Sequence, residues 1–100
     1  NGAIPDILYI DDFESTCDIS TDGCVPHRVE ADSVPAGNLE LIRRVKYYER
    51  TVARGIVNRS KRDIVESLAM HPLVNSYSLA KDIAAQYFEL NRDYIDGWTD

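Results

Sequence analysis

Apolar residues in the middle of the chain recur at steps of three and four, a spacing that places side chains on one face of an α-helix. The segment "SVPAGN" interrupts the pattern before them. Asn38 is the expected N-cap, because its side chain can accept a hydrogen bond from the first helical turn. We expect a long helix from Asn38 whose inward stripe is Leu41, Ile42, Val45, Tyr48, Val52 and Ile56.

Two further helices are predicted after residue 59. Ser60 begins a Ser-Lys-Arg-Asp sequence, a capping-box pattern with Asp in place of the usual Glu or Gln. Pro72 lacks an amide proton and disfavours helical dihedrals at His71, so this helix should end near Met70. The third helix should begin near Ser76 or Ser78 and end before Gly97. The residues expected to face inward are Ile64, Val65, Leu68 and Ala69, then Leu73 and Val74 under the joint, then Leu79, Ala80, Ile83, Ala84, Tyr87, Phe88 and Tyr94.

The first part of the chain has a different composition, rich in β-branched and aromatic residues from Ile7 to Val29. Asp22-Gly23 is a favourable two-residue hairpin turn, which predicts strands near Glu14 to Ser20 and Cys24 to Glu30. We therefore expect an α+β fold in one domain of 100 residues: an antiparallel hairpin or sheet in residues 1–37, followed by three helices in residues 38–100.

Composition is ordinary for a soluble globular chain, at 44% hydrophobic and 28% charged residues. No apolar run approaches the roughly 20 residues that cross a bilayer, and the first residues lack the basic and apolar regions of a signal peptide. The sequence opens with Asn1 and then at once with strand-like residues. We expect a piece of a longer cytoplasmic protein.

Charge is unevenly distributed along the chain. Residues 1–37 carry a net charge of −7, residues 38–63 carry +5 and residues 64–100 carry −4, which sum to −6. The basic segment could bind anions such as phosphates, or it could lie on an acidic neighbour. The second interpretation is favoured, because the bases surround the helix and lack the interleaved aromatic residues of single-strand binders. A nucleic-acid role is therefore not expected. The bases are Arg43, Arg44, Lys46, Arg50, Arg54, Arg59, Lys61 and Arg62.

Cys17, Cys24 and His27 are residue types that bind zinc, but three candidate ligands fall short of the usual four. With Asp22-Gly23 as the turn, Cys24 would lie opposite Thr21, so the two cysteines would stand about 13 Å apart along the strands. A disulfide would then need another register. We expect reduced thiols and no metal site.

Other candidate catalytic groups are incomplete. Asp11 and Asp12 are adjacent on a predicted strand and point to opposite faces, whereas Asp12 and Glu14 could share a face. His71 has no evident partner and is interpreted as a capping or packing residue. Neither a G-x-S-x-G sequence, a P-loop nor a G-x-G-x-x-G loop occurs. We expect no catalytic, cofactor-binding or metal-binding residue in this chain.

Several segments in series resemble the C-terminal portion of glycoside hydrolase family four, most closely its 6-phospho-β-glucosidase branch. They are "NGAIPDI", "CDISTDGCVP", "VKYYERTVARGIV", "LAMHPLV" and "AKDIAAQYFELNRDYIDGW". Each is weak alone, but their order and spacing are retained over nearly the whole chain. The His-Pro-Leu-Val sequence, the Ala-Lys pair in the last helix and the Asn-x-x-Tyr ending are similar to the phospho-β-glucosidases rather than to the α-glycosidases of the family.

This resemblance implies a fold like the C-terminal domain of lactate and malate dehydrogenases, following an upstream Rossmann domain. It implies NAD and a divalent metal, usually manganese, in the parent enzyme: NAD transiently oxidises the sugar at C3, the C2 proton becomes acidic, and the glycosidic bond breaks by elimination. The family's NAD loop, metal ligands and tyrosine base lie upstream of the matched region, so none falls on Cys17, His27 or Tyr48.

The resemblance implies three roles for this segment. It would act as a scaffold, it would form subunit contacts in a homo-oligomer, and its loop from Asn1 to Pro5 would close the cleft that binds a phosphorylated sugar. Asn1, Gly2, Ala3 and Ile4 are therefore expected near the substrate. The sequence departs from the family at Arg54, where an acid is usual, at Ile56, where a small residue is usual, and at "NRS", where the family has a Gly-Asp turn. The alternative is a free-standing binding or regulatory module that uses the basic helix.

Overall fold

The computed structural model describes residues 3–4, 7–8, 11–12 and 14–100. Two strands, β1 (Cys17–Ser20) and β2 (Gly23–Pro26), precede a 3₁₀ turn at Ala31–Ser33. Three helices follow: α1 (Ala36–Asn58), α2 (Lys61–Met70) and α3 (Tyr77–Leu90). The chain divides into two compact units, residues 1–40 and 41–100. The predicted α+β class, an antiparallel hairpin followed by three helices, is confirmed.

The hairpin turn lies one residue earlier than predicted. Ser20 pairs with Gly23, so Thr21 and Asp22 form the two-residue loop. Neither loop residue has a positive φ, whereas Gly23 has φ 114°, which places the left-handed conformation at the first paired residue after the turn. Glycine tolerates that conformation at little cost. The Ser20 hydroxyl accepts a hydrogen bond from the Asp22 amide at 3.1 Å and supports the loop. The strands are also shorter than predicted, four residues each.

Helix α1 begins at Ala36, two residues before the predicted cap, and the Leu39 amide donates to the Pro35 carbonyl at 3.0 Å. Asn38 therefore lies inside the first turn. The predicted inward stripe is partly wrong, because Leu41 and Ile56 are 51% and 57% exposed. The buried residues of α1 are instead Thr51 and Gly55.

Small residues on α1 explain this difference, because they allow helix α2 to approach closely. A Cβ added at Gly55 would lie 2.9 Å from Cδ1 of Ile64 and 3.1 Å from Cβ of Asp63. The Ser60 amide donates to the Gly55 carbonyl at 2.9 Å, so the chain reverses directly at the end of α1. The contact surface is therefore selected by side-chain size rather than by apolar character.

The short link between α1 and α2 is held by a residue in the left-handed conformation. Arg59 has φ 51°, which is in the left-handed region that residues other than glycine rarely adopt. Its guanidinium pairs with Asp96 at 3.6 Å. Ser60 then caps α2 as predicted, since its hydroxyl accepts a hydrogen bond from the Asp63 amide.

The joint between α2 and α3 also follows the prediction. Helix α2 ends at Met70 with His71 as its C-cap, and Ser76 caps α3 by accepting from the Leu79 amide. The predicted burial of the joint is wrong for Leu73, which is 88% exposed. Asn75 completes the turn with φ 46°, and its side-chain oxygen accepts a 2.7 Å hydrogen bond from Arg44.

Helix α3 packs on α2 through its smallest residues. Ala80 and Ala84 are buried, and Ser67 of α2 is completely buried with its hydroxyl bonded to the Ile64 carbonyl. Three residues predicted to face inward, two on α3 and one just after it, are exposed instead. They are Leu79, Tyr87 and Tyr94.

The end of the chain is attached to the start of α2. Lys61 donates its amide to the Thr99 carbonyl at 2.8 Å, and the Thr99 amide donates to the Arg59 carbonyl at 2.9 Å. The Trp98 ring lies edge-on to Phe88 of α3, with centroids 5.0 Å apart. Residues 97–100 therefore bridge α2 and α3.

Candidate functional site

The segment expected near a substrate cleft is described only in part. Asn1 and Gly2 lie outside the described residues. Ala3 is buried and its carbonyl accepts a 2.7 Å hydrogen bond from the Val29 amide, while Ile4 is half-buried. The backbone at Ala3 is thus fixed against the chain that follows β2. Whether these residues border a cleft in a larger protein stays a prediction.

The hairpin separates the three residues considered for metal binding. Opposite residues of an antiparallel pair share a face, and successive residues alternate between faces. Cys17 and Cys24 therefore share one face, whereas Asp18 and His27 are on the other. His27 Nε2 lies 2.9 Å from the Asp18 carboxylate, and both side chains are exposed. Among the residues that the structure describes, no group of three His, Cys, Asp or Glu residues could hold a metal ion.

The two cysteines are free thiols and close neighbours. Cys24 is exposed and Cys17 is half-buried, and the Cys17 sulfur lies 3.4 Å from the Ser15 carbonyl, to which it donates. The hydrogen bond with Cys17, and to a lesser extent desolvation, raises the pKa of the Cys24 thiol. The 13 Å separation expected from the sequence is wrong, because the turn is at Thr21-Asp22.

The acidic residues before the hairpin differ in their burial. Asp11 is 6% exposed, whereas Asp12 and Glu14 are exposed. The two adjacent aspartates therefore differ in environment, and the expectation that Asp11 and Asp12 do not share a site stays a prediction.

His71 has the structural role predicted for it. Its Nδ1 atom accepts a hydrogen bond from the Leu73 amide at 3.1 Å, and its ring lies edge-on to Tyr48 with centroids 4.7 Å apart. A histidine whose ring nitrogen is engaged by the backbone holds the turn at Pro72 in place. This geometry supports packing and capping rather than acid–base chemistry.

The basic segment is neutralised largely by side chains of its own unit. Arg54 donates to both carboxylate oxygens of Asp63, at 3.1 and 3.2 Å, and this pairing raises the pKa of the Arg54 guanidinium. Lys46 lies 2.8 Å from Glu49. Further ion pairs join Arg59 to Asp96, Lys61 to Asp100 and Arg62 to Glu66. These pairs support the interpretation of the basic helix as a structural surface.

An open groove of about 550 Å³ lies where α2, α3 and the end of the chain meet. Lys61 lies over the Phe88 ring at 5.3 Å and pairs with Asp100, and Arg92 pairs with Glu89 at 2.7 Å. The sequence pattern does not predict this groove. The one residue that could have pointed to it is the single tryptophan, Trp98, which together with Phe88 lines an adjoining pocket of about 220 Å³. Lys61 and Arg92 thus each have an acidic partner, and the third cation of the lining, Lys81, lies over the Tyr77 ring at 5.9 Å.

With the architecture established, comparison with known proteins defines the class. Residues 1–74 match the model of the family 4 glycosyl hydrolase C-terminal domain, so the chain belongs to this family. The match covers the hairpin, α1, α2 and the joint, and α3 lies beyond it. The resemblance inferred from the sequence is confirmed.

Among curated proteins, the chain is similar to the 6-phospho-beta-glucosidase BglT of Thermotoga maritima. The two are 37% identical over 57 residues, which are 57% of this chain and 14% of the relative. The aligned part is therefore about one-seventh of that protein's length. No solved structure matches the chain. Within the described residues, no helix is long and apolar enough to cross a membrane.

Proposed function

We propose that the chain is the C-terminal scaffold of a cytoplasmic glycosidase that hydrolyses 6-phospho-β-glucosides with NAD and a divalent metal. The family resemblance implies manganese as that metal. The observation that carries the proposal is the family match over residues 1–74. The name of the Thermotoga relative supports the substrate class. An upstream Rossmann domain would complete the enzyme, with residues 1–100 as its C-terminal domain.

The described residues do not fit the NAD or the metal themselves. They contain no cluster of three metal-binding side chains, and Cys17 and His27 are on opposite faces of the hairpin. The sequence contains no glycine-rich phosphate loop. We therefore assign no step of the redox elimination to this chain, and place its contribution in holding and closing the substrate cleft.

A cofactor-dependence assay tests the proposal in the parent enzyme. Release of 4-nitrophenol from 4-nitrophenyl β-glucoside 6-phosphate should require both NAD and a divalent metal, and should stop when either is removed by dialysis and chelation. The 100-residue chain alone should neither bind NAD nor hydrolyse this substrate. Hydrolysis by the chain alone, or by the parent after complete removal of NAD and metal, would contradict the proposal.

The cleft assignment has its own test. Replacing Ile4 with alanine in the parent enzyme should raise KM for the phosphorylated glucoside several-fold and change the melting temperature little, because Ile4 is only half-buried. Val25→Ala, at an exposed position on the hairpin, is the matched control. Equal KM values for the two variants would remove Ile4 and its neighbours from the cleft.

The alternative, a free-standing binding module that uses the basic helix, is less well supported. An anion-binding surface needs cations that are free to meet the ligand. Arg54, Arg59, Lys61 and Arg62 each have an acidic partner in the same unit. Reading the coding sequence before Asn1 for a dinucleotide-binding glycine loop would distinguish the two functions.

A further inference from the structure

The register of the hairpin brings its two cysteines together. Cys17 pairs with Pro26, and Cys24 pairs with Ile19, which is two residues after Cys17 on the same strand. The two thiols are therefore diagonal neighbours on one face of the ribbon. Diagonal neighbours in antiparallel strands have Cα atoms about 7–8 Å apart and Cβ atoms somewhat closer.

The distance that remains to a disulfide is small. Bridged cysteines have Cα atoms up to about 6.8 Å apart, so closure requires a movement of about 1 Å. The ribbon has two strands of four residues each, and both strands are edge strands of the described sheet. Because no third strand fixes either edge there, the hairpin can twist to close this distance.

Both sulfurs are also accessible to a reagent from solution. Cys24 is exposed, and Ile19, directly opposite it, is 84% exposed. Cys17 is half-buried and is held by its hydrogen bond to the Ser15 carbonyl. A small molecule can reach Cys24 first, and Cys17 is then in place to react with the sulfur of Cys24.

We propose that Cys17 and Cys24 form a thiol–disulfide exchange site that reacts with low-molecular-weight disulfides and closes to an intramolecular disulfide across the hairpin. This site is independent of the proposed glycosidase chemistry, to which neither cysteine contributes. Its product would lock the register of β1 and β2 covalently.

The exchange consists of two displacement steps. The deprotonated Cys24 sulfur attacks one sulfur of the small disulfide RSSR, forming a Cys24–SR mixed disulfide and releasing RS⁻, which takes up a proton. The deprotonated Cys17 sulfur then attacks the Cys24 sulfur, forming the Cys17–Cys24 bond and releasing the second RS⁻. Two protein thiols are oxidised, and one RSSR is reduced to two RSH. The raised pKa of Cys24 lowers the fraction of this thiol that is deprotonated, so the first step is slower than for an unperturbed thiol.

Incubation of the 100-residue chain with oxidised glutathione tests the proposal. Mass spectrometry should show a monomer lighter by two hydrogen atoms, located in the tryptic peptide 1–28, which contains both cysteines. Cys17→Ser and Cys24→Ser should each carry one glutathionyl group instead. Circular dichroism before and after oxidation checks that the chain stays folded.

The matched control moves one thiol to the other face. Cys24→Ser combined with Val25→Cys keeps two cysteines but places the second opposite Asp18, and both altered positions are exposed. This variant should accumulate glutathionyl adducts at least tenfold in excess of the internal disulfide. Two glutathionyl groups or covalent dimers in the unmodified chain, or equally ready closure in the control, would overturn the proposal.

Discussion

At the scale of single residues, the helical unit depends on side chains that contribute little apolar area. Gly55 and Ser67 are at the contacts where helices approach most closely, and large apolar residues such as Leu41 and Ile56 are exposed. Interiors are close-packed, so one methyl group in such a contact has a measurable cost. Substitution of these small residues therefore tests the packing between helices most directly.

Gly55→Ala should destabilise the chain by about 1 kcal/mol, because the new methyl group would overlap Ile64, and overpacking typically costs about 1–3 kcal/mol against a gain in helix propensity of about 1 kcal/mol. Gly37→Ala, also in α1, meets nothing within 4 Å and should be neutral or slightly stabilising. Urea unfolding of both variants measures the difference. Equal free energies of unfolding would contradict the close contact at Gly55.

Arg59→Gly should be more stable than Arg59→Ala by about 1 kcal/mol. Both variants lose the ion pair with Asp96, which is exposed and contributes little, but only glycine relieves the left-handed backbone. Asp96→Ala removes the pair alone and serves as the control. If Arg59→Ala were at least as stable as Arg59→Gly in thermal unfolding, backbone strain at this link would be excluded.

At the scale of elements, the sequence predicted helix ends better than helix faces. Ser60 and Ser76 act through hydrogen bonds from nearby backbone amides, and Pro72 acts through its fixed φ and missing amide proton. These effects can be read from a few neighbouring residues. The buried face of α1 depends instead on which side chains let α2 approach, information that the apolar spacing does not contain. The hairpin turn lies one residue earlier than predicted because glycine is favourable at more than one position of a turn, so Gly23 alone does not define the register.

In the candidate site, too, features set by neighbouring residues were predicted, and features set by contacts between strands were not. The structural role of His71 follows from its place beside Pro72 and was predicted, whereas the proximity of Cys17 and Cys24 depends on strand register and was missed. A shift of the turn by one residue moves the partner of Cys24 by two positions. Distances across a hairpin are therefore predictable only once its turn is known.

Pro72→Ala should destabilise the chain by about 1 kcal/mol or more, because proline restricts the unfolded chain and directs the turn after α2. Val74 and Asn75 both donate their amides to the His71 carbonyl, so this turn is continuous with the start of α3. Leu73→Ala, at a largely exposed position in the same joint, is the control. An unchanged melting temperature for Pro72→Ala would count against its role as the joint.

At the scale of the whole molecule, α3 has an apolar stripe that the described residues leave exposed. Leu79, Tyr87 and Leu90 recur at helical spacing and are 45%, 65% and 79% exposed, and Tyr94, just after the helix, is 87% exposed. Apolar surface of this extent is typical of sites that associate with another protein surface. The homo-oligomer expected from the sequence would use such a surface.

We expect the chain to sediment as a dimer or larger species at high concentration. Leu90→Glu should shift it toward monomer by placing a charge in the stripe, whereas Ala85→Glu, at an exposed position on a different face of the same helix, should not. Analytical ultracentrifugation over a concentration series measures the effect. A monomer at every concentration would contradict the expectation.

The contact between Gly55 and Ile64 also limits how the family can vary over evolution. A Cβ added at position 55 would lie 2.9 Å from Cδ1 of Ile64, so a larger residue there requires the Ile64 side chain to move or to be replaced by a shorter one. Substitutions at these two positions should therefore be inherited together in related sequences. Covariation of these two positions would show that the spacing between the two helices is retained even in related sequences whose apolar stripes differ.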